Sequence, residues 1–211
     1  MTYDPHNPPR GEARPRRVAF FALEGVQSLD VTGPMEAFAV STRFGAAYDL
    51  VLCSEDGSSI GTHAGLSLGP AVPLASLSEP IDTLVICGGS EAAMLAARDA
   101  GTTLDVVRVQ ASRARRVVSI CTGAFVLAAA GLLDGRRAAT HWNAADRFRA
   151  LFPQVDLDAD AIYVSDPPFY SSAGVTAGID LSLALIEEDH GARIALSVAR
   201  ELVLFLRRPG G

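Results

Sequence analysis

A single cysteine stands between a β-branched stretch and a run of small, helix-forming residues. Residues 117–135 read VVSICTGAFVLAAAGLLDG, with Cys121 at the junction. Small residues two positions to either side, Ser119 and Gly123, match the nucleophile elbow, a tight turn that brings neighbouring backbone very close. Such a turn strains the cysteine and points its sulfur outward, and the dipole of the helix behind it favours a thiolate. Cys121 is therefore a candidate nucleophile, and the alternative is an inert buried thiol.

A glycine pair and a threonine could supply hydrogen-bond donors beside this cysteine. Gly88–Gly89 directly follows the apolar run DTLVIC, which is typical of a buried strand. The N–H groups of this turn, together with that of Thr122, could face a developing oxyanion or a ligand carboxylate. In an open parallel sheet, ligands bind at the carboxyl ends of the strands, where these residues and Cys121 would meet. We therefore predict a pocket at this edge of the sheet.

An aspartate and a histidine are further candidates for the same pocket. The motif LDVTGP places Asp30 on a loop after the first predicted strand, although Asp30 could instead cap a helix that begins at Pro34. His141 ends the predicted strand AATHW, about 20 residues after Cys121. A base must lie within hydrogen-bond reach of the thiol, so His141 is either a partner of the cysteine or a structural residue. The predicted ligand-binding set is Asp30, Gly88, Gly89, Cys121, Thr122 and His141.

The other two cysteines argue against a disulfide framework and against a metal site. The chain has three cysteines, Cys53, Cys87 and Cys121, and they are widely spaced. An odd number without a close pair fits neither a disulfide scaffold nor a zinc site, so we predict no metal and no cofactor. Cys53 is expected in the core. Cys87 would lie at a strand end near a second thiol, where oxidation is conceivable.

Composition limits the class of protein. The 211 residues are 49% hydrophobic and 20% charged, which suits one large α/β unit with a sizeable core. A net charge of −6 argues against nucleic-acid binding by this segment itself. The apolar runs are too short to cross a bilayer, and the N-terminus lacks an apolar signal region. We therefore predict a cytoplasmic protein without a membrane partner.

Short apolar strands alternate with helices along most of the chain. This order predicts right-handed βαβ crossovers and a mostly parallel sheet that is covered by helices on both faces. Strands are predicted at 18–23, 48–56, 82–89, 117–120, 138–142, 161–166 and 169–174, and helices at 34–43, 91–98, around 104–111, at 179–190 and at 192–208.

The two ends of the chain differ from this pattern. Residues 1–17 are rich in Pro and Arg and predict a disordered leader before a domain at 18–208. The apolar stripe of the last predicted helix, 192–208, is wide enough to suggest a dimer surface, and burial against the sheet is the alternative. Residues 209–211, Pro-Gly-Gly, have the composition of a turn or linker.

Three blocks together resemble a known family. They are LDVTGP, SICTGAFVLAAAGLLDGRRAATHW and SSAGVTAGIDLSLALIEEDHG, and the resemblance covers roughly residues 18–208. In this order they resemble the ThiJ/PfpI branch of the class I glutamine amidotransferase-like superfamily. That resemblance implies a three-layer sandwich with a mostly parallel, flavodoxin-like sheet and a strand–Cys–helix nucleophile elbow.

Two groups in that branch share these blocks. One is isocyanide hydratase, in which the resemblance implies catalysis by the elbow cysteine, an aspartate and the following threonine; Cys121, Asp30 and Thr122 match those positions. The other is the sensor domain of AraC-family regulators, in which a tail similar to LFLRRPGG leads into a helix-turn-helix domain. Protease-like members carry histidine where Thr122 stands, which argues against a peptidase, and many relatives carry proline where Cys87 stands.

The C-terminal sequence LFLRRPGG favours the AraC-family sensor domains. It implies a small-molecule sensor, a homodimer, and DNA contact only through a C-terminal domain absent from this chain, whose linker would start at 209–211. Enzymatic catalysis by Cys121, Asp30 and Thr122 is the alternative, and a redox sensor acting through Cys121 is a third. An anionic Asp30 with aromatic residues, namely Phe38, Trp142 or Tyr170, would suit a cationic ligand.

Overall fold

The computed structural model describes residues 14–99 and 101–204. The strands of these segments are β1 (Arg16–Phe21), β2 (Tyr48–Ser54), β3 (Ile60–Gly61), β4 (Ser67–Leu68), β5 (Val72–Pro73), β6 (Thr83–Ile86), β7 (Arg116–Ile120), β8 (Arg137–Ala138), β9 (Asp156–Leu157), β10 (Tyr163–Asp166) and β11 (Phe169–Ser172). The helices are α1 (Ser28–Thr42), α2 (Glu91–Asp99), α3 (Gly101–Arg113), α4 (Gly123–Ala129), α5 (Ala145–Leu151), α6 (Ala177–His190) and α7 (Ala192–Glu201). Two short 3₁₀ helices lie at Leu74–Ser76 and Trp142–Ala144.

The central sheet has the strand order β10-β11-β7-β6-β1-β2-β5. Its paired strands are parallel except for β10 and β11, which form an antiparallel pair at one edge. All residues of β6 and β7 are buried, as expected for parallel strands that are covered on both faces. The mostly parallel sheet predicted from the alternating pattern is therefore confirmed.

Helices cover both faces, so the domain has three layers. Phe20 and Phe21 are neighbours in β1 but belong to separate apolar cores because successive strand residues point to opposite faces. Phe21 packs in the core with Phe125 of α4, whereas Phe20 packs in the core with Phe38 of α1. The three-layer α/β sandwich is thus confirmed.

Strand β1 marks the place where the chain reverses its direction across the sheet. From β1 the chain passes to β2 on one side and later returns to β6 on the other. Crossovers diverge at such a point, which leaves a crevice at the carboxyl ends of β1 and β6. Asp30 follows β1 and Gly88 follows β6, so both lie at this crevice.

Several predicted boundaries are wrong. Helix α1 begins at Ser28, six residues before the predicted start, and Pro34 lies inside it. Asp30 is therefore in the first turn of a helix, neither on a loop nor capping a helix at Pro34. The strand predicted at 138–142 shrinks to the two-residue β8, and His141 precedes a 3₁₀ helix. Proline was a misleading signal in the first case, because it is most common in the first turn of a helix, whereas Pro34 lies in the interior of α1.

The last helix also ends earlier than predicted. Strand β1 begins at Arg16, inside the predicted leader, and α7 ends at Glu201 instead of extending to 208. Ile194 and Val198 of its stripe are buried, which agrees with packing against the domain, whereas Val203 is 90% exposed. The predictions for residues 1–13 and 205–211 lie outside the described residues.

Helix α7 ends in a Schellman motif built on a valine. Leu204 N–H donates to Ala199 O at 2.8 Å and Val203 N–H donates to Arg200 O at 3.1 Å. Val203, at φ 55°, occupies the left-handed position that normally carries glycine. Because its side chain is exposed, Val203→Gly is expected to raise the free energy of unfolding by about 1 kcal/mol. Urea denaturation measures this, and a lower stability of the variant would contradict it.

A buried charge cluster lies at the amino ends of the strands, opposite the crevice. Arg116 of β7 is 1% exposed, and its guanidinium donates to both carboxylate oxygens of Asp189 in α6, at 2.5 and 3.2 Å. Tyr48 Oη and Arg115 Nη2 each donate to the same carboxylate at 2.8 Å. Asp189 is therefore held by three side chains from β2, β7 and the turn before β7. This cluster anchors the C-terminal end of α6 to the sheet.

Candidate active site or ligand site at Cys121

Cys121 occupies a strained turn between β7 and α4. Its φ is 57°, a left-handed value that is uncommon for a residue with a side chain. The turn is held by two hydrogen bonds: Cys121 N–H donates to Ser172 O, and Thr140 Oγ1 donates to Cys121 O, each at 3.0 Å. The strained strand–turn–helix geometry expected of a nucleophile elbow is present.

Three glycines allow the backbone to close around this cysteine. A Cβ on Gly123 would overlap the carbonyl oxygen of Ile86, which explains the small residue after the elbow. A Cβ on Gly88 would lie 2.7 Å from Cys121 Cβ. Gly174, at φ 92°, would place a Cβ 2.7 Å from both Cys121 Cα and Cys121 Sγ. The loops that carry Gly88 and Gly174 therefore lie directly against Cys121, and Gly174 is the one that approaches its sulfur.

Asp30 lies behind the cysteine and is fully buried. Its Oδ1 accepts a hydrogen bond from Val175 N–H at 2.7 Å, and its Oδ2 has no hydrogen-bond partner among the described residues. Burial raises the pKa of Asp30 to about 6, against the opposing effects of Val175 N–H, the Cys121 thiol and Gly88 N–H. The carboxyl group therefore titrates close to neutrality instead of near pH 4.

The raised pKa makes stability depend on pH in a defined direction. Between about pH 4 and 6 the folded protein retains a proton on Asp30 that the unfolded chain has lost, so stability falls as pH rises through this window. Asp30→Asn removes this linkage. The free energy of unfolding of the wild type minus that of Asp30→Asn is expected to increase by about 2 kcal/mol from pH 7 to pH 4.5.

Urea denaturation of both proteins at several pH values measures this difference. The contributions of the other titrating groups to the free energy of unfolding cancel because both proteins contain them. A difference that does not change with pH would contradict the placement of a carboxyl group with a burial-raised pKa at position 30.

The predicted thiolate is not favoured in this structure. Burial, followed by the negative charge of Asp30, raises the pKa of Cys121 to about 12, although Thr122 N–H and hydroxyl act in the opposite direction. The short helix α4 does not outweigh these effects, so the thiol is protonated at neutral pH. Burial likewise raises the pKa of Cys87 well above its usual value, and Cys87 is only 1% exposed. Neither thiol has the exposed, low-pKa character of a peroxide-sensitive cysteine.

The donors expected to face an oxyanion are largely engaged within the protein. Gly89 N–H donates to Thr122 Oγ1 at 2.9 Å, and this hydroxyl donates back to Gly89 O at 2.8 Å. Cys87 N–H donates to Phe21 O at 2.9 Å, and Gly88 N–H faces Asp30. The Thr122 hydroxyl thus links the turn after β7 to the loop after β6. A histidine at position 122 would have no hydroxyl to form these two bonds.

A cleft of about 230 Å³ opens in front of Cys121. It brings together four members of the predicted ligand-binding set, whereas Asp30 and Gly88 lie behind the cysteine and do not line it. The residues that line the cleft are Gln27, Gly89, Cys121, Thr122, His141, Asn143, Ala144 and Val175. Gln27, Asn143, Ala144 and Val175 were not predicted from the sequence, since nothing local distinguishes them.

His141 lines the cleft, and its ring accepts one hydrogen bond from the backbone. Its Nδ1 accepts from Asn143 N–H at 3.3 Å. This bond favours the tautomer protonated at Nε2, which leaves a donor for a ligand. Trp142 beside it is 72% exposed. The other two aromatic residues proposed for a cation lie elsewhere: Phe38 packs on Tyr48, and Tyr170 Oη contacts Glu188.

The described part of the chain shows neither a metal-binding cluster nor a membrane span. Residues 14–99 and 101–204 contain no group of three or more His, Cys, Asp or Glu side chains that could hold a metal ion. Over the same residues, no helix combines the length and the apolar character that a membrane span requires.

Comparisons with known proteins identify the relatives of this arrangement. A model of the DJ-1/PfpI family matches residues 16–188. An isonitrile hydratase of Pseudomonas putida is 34% identical over 88% of this chain and 77% of its own length. The HTH-type transcriptional regulator CdhR of Pseudomonas aeruginosa is 35% identical over 90% of this chain, which spans only 55% of the regulator.

Solved structures agree with the fold. A THiJ/PfpI family protein from Pseudomonas syringae superposes with a TM-score of 0.81 and 25% identity over 97% of this chain and 84% of that chain. An AraC family transcriptional regulator from Pseudomonas putida superposes with a TM-score of 0.78 and 24% identity over 89% of this chain and the whole of that chain. The second likeness shows a shared fold. Relatives by sequence therefore include both a hydratase and a regulator.

Proposed function

The chain belongs to the DJ-1/PfpI family, and from this premise we propose that it is the ligand-sensing domain of an AraC-type transcription regulator. The observation that carries the proposal is the state of Cys121: a protonated, enclosed thiol that forms the back wall of a polar cleft. Such a site is suited to binding a small molecule. The 35% identity to CdhR, of which this chain spans 55%, supports the regulatory role.

The proposal includes the partners that this role requires. DNA contact would be made by a separate helix-turn-helix domain, and two copies of the sensor would associate, so that binding shifts an equilibrium between two arrangements. Action on DNA would place the protein in the cytoplasm. Residues 209–211 would begin the linker between the domains.

The lining of the cleft indicates the ligand class. Among the described residues that line it there is no Asp, Glu, Lys or Arg, and Asp30 is shielded by the cysteine. His141 presents an Nε2–H donor, and the side-chain amides of Gln27 and Asn143 can both donate and accept. We therefore propose a small, polar ligand that carries a hydrogen-bond acceptor and does not need a carboxylate partner for a positive charge.

Trp142 provides the readout for the test. It is the single tryptophan of the chain and lies at the rim of the cleft, next to His141. A screen of small amides, amino acids and quaternary amines at millimolar concentration should give a hit that changes its fluorescence and also raises the Tm. Ligand at about 100 times Kd adds about 2.7 kcal/mol, or a few degrees for a domain of this size.

Matched variants locate the binding. Asn143→Ala is expected to remove the response, whereas Val109→Ala, an exposed position on α3, is expected to keep it. A quaternary amine that binds more tightly than an isosteric neutral compound would contradict the ligand class. The absence of any stabilising compound would contradict the sensor proposal itself.

A second candidate function is hydration of an isonitrile. It is favoured by the 34% identity to isonitrile hydratase and by the contact of Asp30 and Thr122 with Cys121. The Cys121 thiol would add to the isonitrile carbon, with its proton ending on that carbon, to give a thioimidate; water would then add to the same carbon and displace the thiol, which releases the formamide. Turnover of an aryl isonitrile should then be lost in Cys121→Ala and kept in Cys53→Ala. A reduced sample without detectable turnover would exclude this candidate.

A further inference from the structure

The structure places a strained valine between the cleft and the start of α6. Val175 lines the cleft and has a φ of 52°, which is an unfavourable conformation for a β-branched residue. Its N–H donates to Asp30 Oδ1 at 2.7 Å, and this bond joins residues that are 145 positions apart in the chain. Strain of this kind persists only where surrounding contacts hold it. Here the aspartate supplies such a contact.

The same bond joins the N-terminal ends of two packed helices. Asp30 lies in the first turn of α1, and Val175 stands two residues before α6. Ala177 N–H donates to Gly174 O at 2.9 Å, so the strained turn continues directly into α6. A ligand that displaces Val175 would therefore act on the N-terminal end of α6.

Helices α1 and α6 approach each other closely next to this bond. A Cβ on Gly33 of α1 would lie 2.9 Å from Ile179 Cγ1 of α6, which shows that the two helices pack with little free space. On their outer surface lies an apolar groove of about 350 Å³, whose lining includes Leu29, Ile179, Leu202 and Leu204. The residues that follow α7 thus rest on the two helices that the Asp30–Val175 bond connects.

The opposite end of α6 is fixed. Asp189, one residue before its end, is held by Arg116, Arg115 and Tyr48. A displacement at Val175 would therefore tilt α6 about an anchored end instead of shifting the whole helix. The largest movement would occur beside Ile179, where the groove is.

We propose that the Asp30–Val175 hydrogen bond transmits occupancy of the cleft to residues 199–204, at the end of α7. This inference rests on the proposed sensor function, because it describes how such a sensor would pass its signal toward the next domain. The element with two states is the turn at Gly174–Val175. In one state Val175 is strained and donates to Asp30; in the other its backbone is relaxed and no longer donates to Asp30.

The test uses a covalent probe so that no natural ligand is needed. The variant Asn143→Cys puts an exposed thiol in the lining of the cleft; iodoacetamide at mildly alkaline pH would place a carboxamidomethyl group on it, and mass spectrometry would confirm the position. Hydrogen exchange of residues 172–180 and 199–204 is then compared with and without the adduct. We expect exchange at 199–204 to change by about threefold or more, which is readily resolved for amides that open locally. The wild-type protein treated in the same way should show no change, because its three cysteines are buried.

Three substitutions at two positions, each made in the Asn143→Cys variant, test whether the Asp30–Val175 bond carries the effect. Asp30→Asn retains an acceptor for Val175 N–H and should keep the coupling, whereas Asp30→Ala should lose it. Val175→Gly removes the strain without removing the N–H, should remain folded, and should also weaken the effect at 199–204. These results do not depend on whether a metabolite is found, so they can fail independently of the sensor proposal.

Two outcomes would overturn the inference. One is an exchange change confined to 172–180 in the Asn143→Cys adduct. The other is a change at 199–204 of undiminished size in both Asp30→Ala and Val175→Gly.

Discussion

Alanine at position 174 is expected to lower the free energy of unfolding by about 3 kcal/mol or more. Gly174 has a φ of 92°, and a Cβ there would overlap Cys121 and come within 2.7 Å of its Cα. The cysteine cannot yield, because its own backbone is held by Ser172 and Thr140. Urea denaturation followed by circular dichroism measures the loss.

Gly45 is the matched control for this substitution. Its φ of 97° is nearly the same, but nothing lies within 4 Å of the position that a Cβ would take. Gly45→Ala should therefore cost only the conformational part, about 1 kcal/mol. Similar losses at both positions would show that packing against Cys121 is not what requires glycine at 174.

Removal of the Asp189 carboxylate is expected to have the largest effect on stability. Asp189→Ala would leave the Arg116 guanidinium buried with only the longer contact to Glu188, at 3.9 Å, as a counter-charge, and loss of one partner of a buried ion pair costs about 3–5 kcal/mol. The same variant also removes acceptors from Tyr48 and Arg115. Thermal and urea denaturation should both show the loss.

An exposed ion pair serves as the comparison. Arg17 and Asp49 are also paired at 2.7 Å, but both side chains are partly exposed, so Asp49→Ala should cost no more than about 1 kcal/mol. The double variant Arg116→Met, Asp189→Leu should recover much of the stability that Asp189→Ala loses. If the double variant is as unstable as Asp189→Ala, the buried charge of Arg116 is not the cause of the loss.

The sheet and the elbow were predictable because their signals are local. Strands buried on both faces read as continuous apolar runs, as in β6 and β7, and Ser119 and Gly123 mark the turn around Cys121. The termini of the helices were less predictable. Helix α1 contains the proline that was taken as its start, and α7 stops at a left-handed valine where a glycine would have been the signal.

The interactions that define the site were not predictable, because they join distant positions. The bond between Asp30 and Val175 links residues 145 positions apart, and Arg116 and Asp189 are separated by 73. Burial is also the main cause of the raised pKa of Cys121, and burial is a property of the assembled fold. A sequence pattern can indicate which side chains are available, but not which of them will be removed from water.

The enclosure of Cys121 by Gly88 and Gly174 has a consequence for how sequences of this family can diverge. A Cβ on Gly174 would overlap Cys121 Cβ and approach its Cα, and a Cβ on Gly88 would lie 2.7 Å from Cys121 Cβ and 2.6 Å from the carbonyl oxygen of Ile120. These contacts do not depend on the thiol alone, because they also involve Cβ and backbone atoms. We therefore expect glycine to be kept at positions 88 and 174 in lineages that retain the turn, including lineages in which another residue has replaced the cysteine.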